Sequence, residues 1–115
     1  HPKWALKKAK KLAQFALGLC YAHGDGVRED HVEAARRYRA AADLGHVRAQ
    51  FNLGRCYHCG DGVPEDHVEA VMWYRIAADQ GDREAQRYLS QCYLTGDGVS
   101  QDLDQSLRWF EKAVK

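Results

Sequence analysis

Three short stretches carry residues able to do chemistry. "HGDGVRED", "CGDGVPED" and "TGDGVSQD" each set an aspartate between two glycines with acids close behind. Such a stretch can be a metal loop, a catalytic carboxylate or a turn. A calcium loop needs six or more oxygens from alternating positions, and "GDGVRED" offers Asp25, Glu29 and Asp30 out of that register. A second candidate is "CYHC", in which Cys56 and Cys59 flank His58. A C-x-x-C pair beside a histidine can begin a zinc site, but a closed site takes four ligands and no second pair follows. No βαβ pattern surrounds it, which argues against a thioredoxin-like role. No nucleophile motif of a known catalytic type is present. The expectation is a non-enzymatic chain without catalytic residues, cofactor or metal.

Bulk properties narrow the field. The chain has 115 residues, 45% hydrophobic and 29% charged, which is ordinary for a soluble globular domain. Its formal net charge is +1, so no global field recruits nucleic acid or an anionic membrane. No apolar run approaches the roughly 20 residues needed to span a bilayer. The chain opens on His1 without a signal-peptide pattern and reads as a piece of a longer protein.

The elements that must position these residues are set by an internal repeat. The Gly-Asp-Gly copies begin at Gly24, Gly60 and Gly96, a period of 36 residues. Ala13, Ala49 and Ala85 keep that register, as do Leu17, Leu53 and Leu89; Cys20, Cys56 and Cys92; and Tyr21, Tyr57 and Tyr93. A fixed period of this size signals stacked supersecondary units. Each unit reads as two helices. The first, near 12–23, carries Ala13, Leu17, Cys20 and Tyr21 on one stripe. Gly24 then allows the left-handed exit. The second, near 31–43, opens with Asp30 as N-cap and Glu33 three positions on, a capping-box spacing repeated by Asp66 with Glu69 and by Asp102 with Gln105. Gly45 and Gly81 end the second helices of the first two units. The units divide as 13–48, 49–84 and a truncated 85–115, after a helical lead-in at 1–12 that could be the remnant of a preceding repeat. The Gly-Asp-Gly stretch is therefore a turn of the scaffold, with Asp25 expected to bond its own turn backbone and Val27 to tuck between the helices.

The order of motif residues resembles the Sel-one-like repeat (SLR) family, a relative of the tetratricopeptide repeats. The fullest copy runs Ala49, Leu53, Gly54, Tyr57, Gly60, Gly62, Val63, Asp66, Ala70, Trp73, Tyr74, Ala77, Ala78 and Gly81. The first copy has Arg37 at the Trp position. The third has Ser90 for Gly, Ser106 for Ala and Phe110 for Tyr. The resemblance implies an all-α, right-handed α-α superhelix, a TPR-like solenoid of three helix-turn-helix repeats. It also implies a protein-binding or adaptor role, with the first helices lining a concave side.

On a helical wheel, Leu12, Phe15 and Leu19 fall opposite the core stripe of the first helix. Arg48, Phe51, Arg55 and His58 do so in the second unit, and Arg87, Gln91 and Leu94 in the third. One reading is a groove with an apolar end and a cationic centre, binding a peptide or partner with acidic and bulky apolar groups through Phe and Arg anchors. The other is that Phe15 and Phe51 pack against neighbouring helices and the arginines are only solvated. A different class of role is a spacer that rigidifies a larger multidomain protein.

Three cysteines recur on the buried stripe, and equivalent sites on successive helices lie about 8–10 Å apart, beyond disulfide reach. Unpaired thiols mildly favour a reducing, cytoplasmic setting, though the compartment itself is not encoded. Lys7, Lys8, Lys10 and Lys11 read as the solvated side of the lead-in helix, and Trp4 as part of a preceding unit. At the other end, Trp109 and Phe110 have no following repeat to cover them. More repeats or another domain are expected beyond them, and self-association through these two side chains is expected.

Overall fold

The computed structural model describes residues 1–115. Six helices follow one another with no strand: α1 Lys3–His23, α2 His31–Asp43, α3 Val47–Cys59, α4 His67–Asp79, α5 Arg83–Thr95 and α6 Leu103–Ala113. Each packs against the next in sequence, giving an elongated stack of three hairpins, 45 × 32 × 19 Å. No helix is long and apolar enough to cross a membrane.

The helix boundaries follow the capping chemistry. The Asp30, Asp66 and Asp102 carboxylates accept from the amides of Glu33, Glu69 and Gln105 at 3.0–3.1 Å. α3 and α5 use caps the repeat pattern did not disclose: His46 Nδ1 accepts from the Ala49 amide, and Asp82 from the Ala85 amide, both at 3.1 Å. Burial, helped by nearby Lys11, pushes the His46 pKa down, which keeps its capping nitrogen unprotonated. Gly24, Gly60 and Gly96 end the first helices in the left-handed region, at φ 66, 67 and 71°. The turn then closes on two motif carbonyls: the Asp25 amide bonds Cys20 O and the Asp30 amide bonds Tyr21 O, both at 2.9 Å.

The second glycine of the motif has a different duty. A β-carbon on Gly62 would collide with the backbone carbonyl of His31, its carbon 2.7 Å away, and one on Gly98 would meet that of His67 at 2.8 Å. Each turn is thus pressed onto the start of the second helix of the preceding repeat. Gly26, in the first of the three turns, meets nothing within 4 Å.

Two core clusters run along the stack. One joins Ala34, Tyr38, Ala41, Ala49 and Leu53; the other joins Phe51, Tyr74, Leu89 and Trp109. Ala49, Leu53, Ala85 and Leu89 are fully buried, whereas Ala13 and Leu17, at the same register of α1, are exposed. α1 is one continuous helix from Lys3, so Trp4 lies on the same helix as Ala13 and is 71% exposed.

The C-terminal expectation needs correction at Trp109. Its ring is 7% exposed, covered by its own hairpin and by Arg75 of the preceding repeat, whose guanidinium lies 5.4 Å from the ring centroid. It therefore offers no self-association surface. Phe110, one residue on, is 52% exposed.

Candidate functional site

Two clefts recur one repeat apart along the face of the first helices. One, about 370 Å³, is lined by residues of α1, α2 and α3 together with Asp61. The other, about 360 Å³, is lined by residues of α3, α4, α5 and α6 together with Asp97. Their walls are built from equivalent positions: Tyr38 and Tyr74, Asn52 and Tyr88, Arg55 and Gln91, Cys56 and Cys92. The repeat produces the cleft. Gly18 and Gly54 let the aromatic rings of Tyr38 and Tyr74 lie flat against the first helix, where a β-carbon would come within 2.6–2.8 Å. In the third repeat Ser90 occupies that position, and its hydroxyl donates to the Ser106 carbonyl at 2.6 Å. Phe110, in the register of buried Tyr74, is instead exposed and lines the second cleft.

The expected groove residues divide between the two clefts, positions outside them and the core. Leu19 and Arg55 line the first cleft; His58, Arg87 and Gln91 line the second. Leu12 and Leu94 are exposed outside both, at 50% and 44%. Phe15 is half-buried and stacks on His46 at 4.2 Å. Phe51 is fully buried, so its assignment to the groove wall is corrected: it lies edge-on to Tyr88 at 5.1 Å and against Tyr74 at 5.7 Å. Arg48 is also no free anchor. It bridges Asp82 at 3.2 Å and Glu84 at 2.8 Å and covers the Phe51 ring. The other arginine–carboxylate pairs belong to Arg36 and Arg37, which leaves exposed Arg55 and Arg87 without an acidic partner. On the second helices, Arg39 sits between the rings of Tyr57 and Trp73, and Arg75 between Tyr93 and Trp109, so neither is free for docking.

Two of the three glycine-flanked aspartates, Asp61 and Asp97, act between repeats. The expected bond of the Asp25 side chain to its own turn is not formed. Asp61 Oδ1 lies 2.6 Å from His31 Nδ1, and Asp97 lies 2.5 Å from His67 Nδ1 and 2.8 Å from His58 Nε2. The hydrogen bond and charge of Asp61 hold the His31 pKa above its usual value, and Asp97 does the same for His67. Hydrogen bonds from His58 and His67 pull the Asp97 carboxyl below the usual range. This link was not legible in the sequence, because its partners are 30 to 39 residues apart and meet only once hairpins stack.

All four cysteines are free. Burial pushes the thiols of Cys56 and Cys92 up to about 11, while Cys59 is exposed. Since the thiolate is the reactive form, a maleimide should label Cys59 in the native chain and reach Cys56 and Cys92 only on denaturation. Peptide mass mapping reads this out; equal native labelling of Cys56 and Cys59 would contradict the buried stripe.

Comparison with known proteins adds to this geometry. Residues 11–46, 47–82 and 83–115 each match the family model described as Sel1 repeat. A protective antigen present in uropathogenic Escherichia coli strains, described as displaying an SLR fold, is 40% identical with TM-score 0.90, over 96% of this chain and 24% of its own. A Sel1 repeat protein from Oxalobacter formigenes is 35% identical with TM-score 0.90, over 97% of this chain and 45% of its own. The chain thus spans less than half the length of either. Helicobacter pylori cysteine rich protein B shares the fold, with TM-score 0.77 at 23% identity, over 94% of this chain and 80% of its own. No curated protein matches the chain.

Proposed function

This chain belongs to the Sel1 repeat family, a protein-interaction scaffold, and from that premise we propose that it binds a partner polypeptide across its two recurring clefts without catalysing a reaction. The observation that carries this reading is the repetition of the cleft with changed side chains. The scaffold positions are kept, whereas Arg55, Arg87, Gln91 and Phe110 give each cleft its own chemistry. Two exposed arginines without acidic partners, beside Leu19, Tyr88 and Phe110, suit a segment that presents carboxylates next to bulky apolar groups. A pre-formed concave surface also spares a partner much of the ordering cost of association.

Panning a random peptide library against the chain tests this. The selected peptides should be enriched in an acidic residue within a few positions of an aromatic or Leu. Reversing Arg55→Glu and Arg87→Glu together should weaken them by about tenfold or more, with a stronger effect at low salt. Peptides without acids, or equal affinity for the double variant, would remove the groove reading and leave the array as a spacer.

A further inference from the structure

We propose that His58, His67 and Asp97 form a binding site for a divalent transition-metal ion of the zinc class at the junction of the second and third repeats. Each residue is held by a different rigid element: His58 by the last turn of α3, His67 by the first residue of α4, and Asp97 by the tight turn after α5. Their ligand atoms all lie within 4.8 Å of one another. The two imidazoles stack at 4.5 Å and direct Nε2 of His58 and Nδ1 of His67 at the same carboxylate. All three side chains are about one-third exposed, so an ion can enter.

The donor set selects the class of ion. Two imidazole nitrogens and one carboxylate suit zinc and its neighbours in the first transition row, whereas calcium and magnesium take oxygen shells. The ion would stand between the two rings and Asp97, each ring binding it through an unprotonated nitrogen as a neutral imidazole. A second contact prepares His67 for this. Its other nitrogen, Nε2, lies 3.0 Å from Glu65 Oε2. A ligating histidine commonly donates its second N–H to a carboxylate in this way, which fixes the tautomer and leaves the first nitrogen free. Three protein ligands leave a fourth position of a tetrahedral ion open. His58 and Asp97 both line the second cleft, so that position adjoins it. Loading the ion requires no partner protein.

The repeat supplies an internal comparison. At the first junction His31, Asp61 and Glu29 reproduce the arrangement of His67, Asp97 and Glu65, but Ala22 stands at the register of His58. The third ligand is missing there, and only the second junction is complete. The buried thiols of Cys56 and Cys92 do not compete for the ion, and exposed Cys59 can be removed.

The test uses the Cys59→Ser chain, titrated with cobalt(II) followed by visible d–d absorption and with zinc by calorimetry. The expected result is one saturable site per chain, with no thiolate-to-cobalt charge-transfer band. His58→Ala should weaken it by about tenfold or more, and Glu65→Gln, through His67, by about 10–100-fold. His58→Ala places at the second junction the residue found at the first, so retained helical circular dichroism is expected and separates lost binding from lost fold. Binding weaker than about 1 mM, or affinity unchanged in a folded His58→Ala chain, would overturn the site.

Discussion

Gly62→Ala is expected to destabilise the chain by about 2–5 kcal/mol, and Gly26→Ala by only about 1–2 kcal/mol, although both replace the same motif glycine. The backbone is nearly identical at the two positions, with φ 76° and 77°, so the left-handed strain of a β-carbon is common to both. What differs is the neighbour. Gly26 faces open space, whereas Gly62 rests on the His31 carbonyl and the Ala35 methyl. A methyl group there cannot be absorbed by a side-chain rotation, because the obstacle is backbone. The first and second repeats must separate, and the Asp61–His31 link is stretched with them. In a quasi-one-dimensional array, stability depends on such nearest-neighbour interfaces. The Gly62→Ala transition should therefore also broaden as the first hairpin uncouples from the rest. Urea unfolding of both variants reads the difference directly. Matching midpoints would mean that the turns do not bear on the preceding repeat. Gly98→Ala should follow Gly62, since its β-carbon would meet the His67 carbonyl carbon at 2.8 Å.

Much of the architecture was legible because its signals are local. The period, the Asp caps and the glycine helix exits each depend on a few adjacent residues, and α2 runs over His31–Asp43 as the pattern implied. What escaped depends on how hairpins stack. A helical wheel treats a helix as having one core face, but α3 touches its own hairpin partner and the neighbouring repeats together, so Phe51 is enclosed by Tyr74 and Tyr88 from α4 and α5. Trp109 was misjudged for a related reason. Adjacent residues on α6 point about 100° apart: Trp109 turns back onto Arg75, and Phe110 turns to the open cleft. Of the second-junction histidines, the wheel places His58 on the groove face, and His67 carries no local signal beyond its position just after the Asp66 cap. Only the repeat register, which sets His67 thirty residues before Asp97 as His31 is before Asp61, hinted at a shared role.

Phe51 offers the second large effect. Phe51→Ala is expected to cost about 3–5 kcal/mol, as for other fully buried aromatic truncations. Arg87→Ala, at the same register of the next repeat but exposed, should stay within about 0.5 kcal/mol. The size of the first effect comes from three losses together: the apolar area removed from water, the edge contact to Tyr88, and the surface on which the Arg48 guanidinium rests, 4.6 Å from the ring centroid. Arg48 ties that ring to Asp82, the N-cap of α5, and to Glu84 in the first turn of α5, so truncation weakens the packing of α3 against α5 as well as the core. Paired denaturation curves for the two variants separate a core residue from a groove residue at one register. Peptide binding sharpens the contrast, because Tyr74 and Tyr88 line the second cleft and lean on Phe51. Truncation should therefore impair the second cleft through its walls while leaving the first cleft, with Arg55, near its original affinity. A stability loss below about 1 kcal/mol joined to a large binding defect would return Phe51 to the groove.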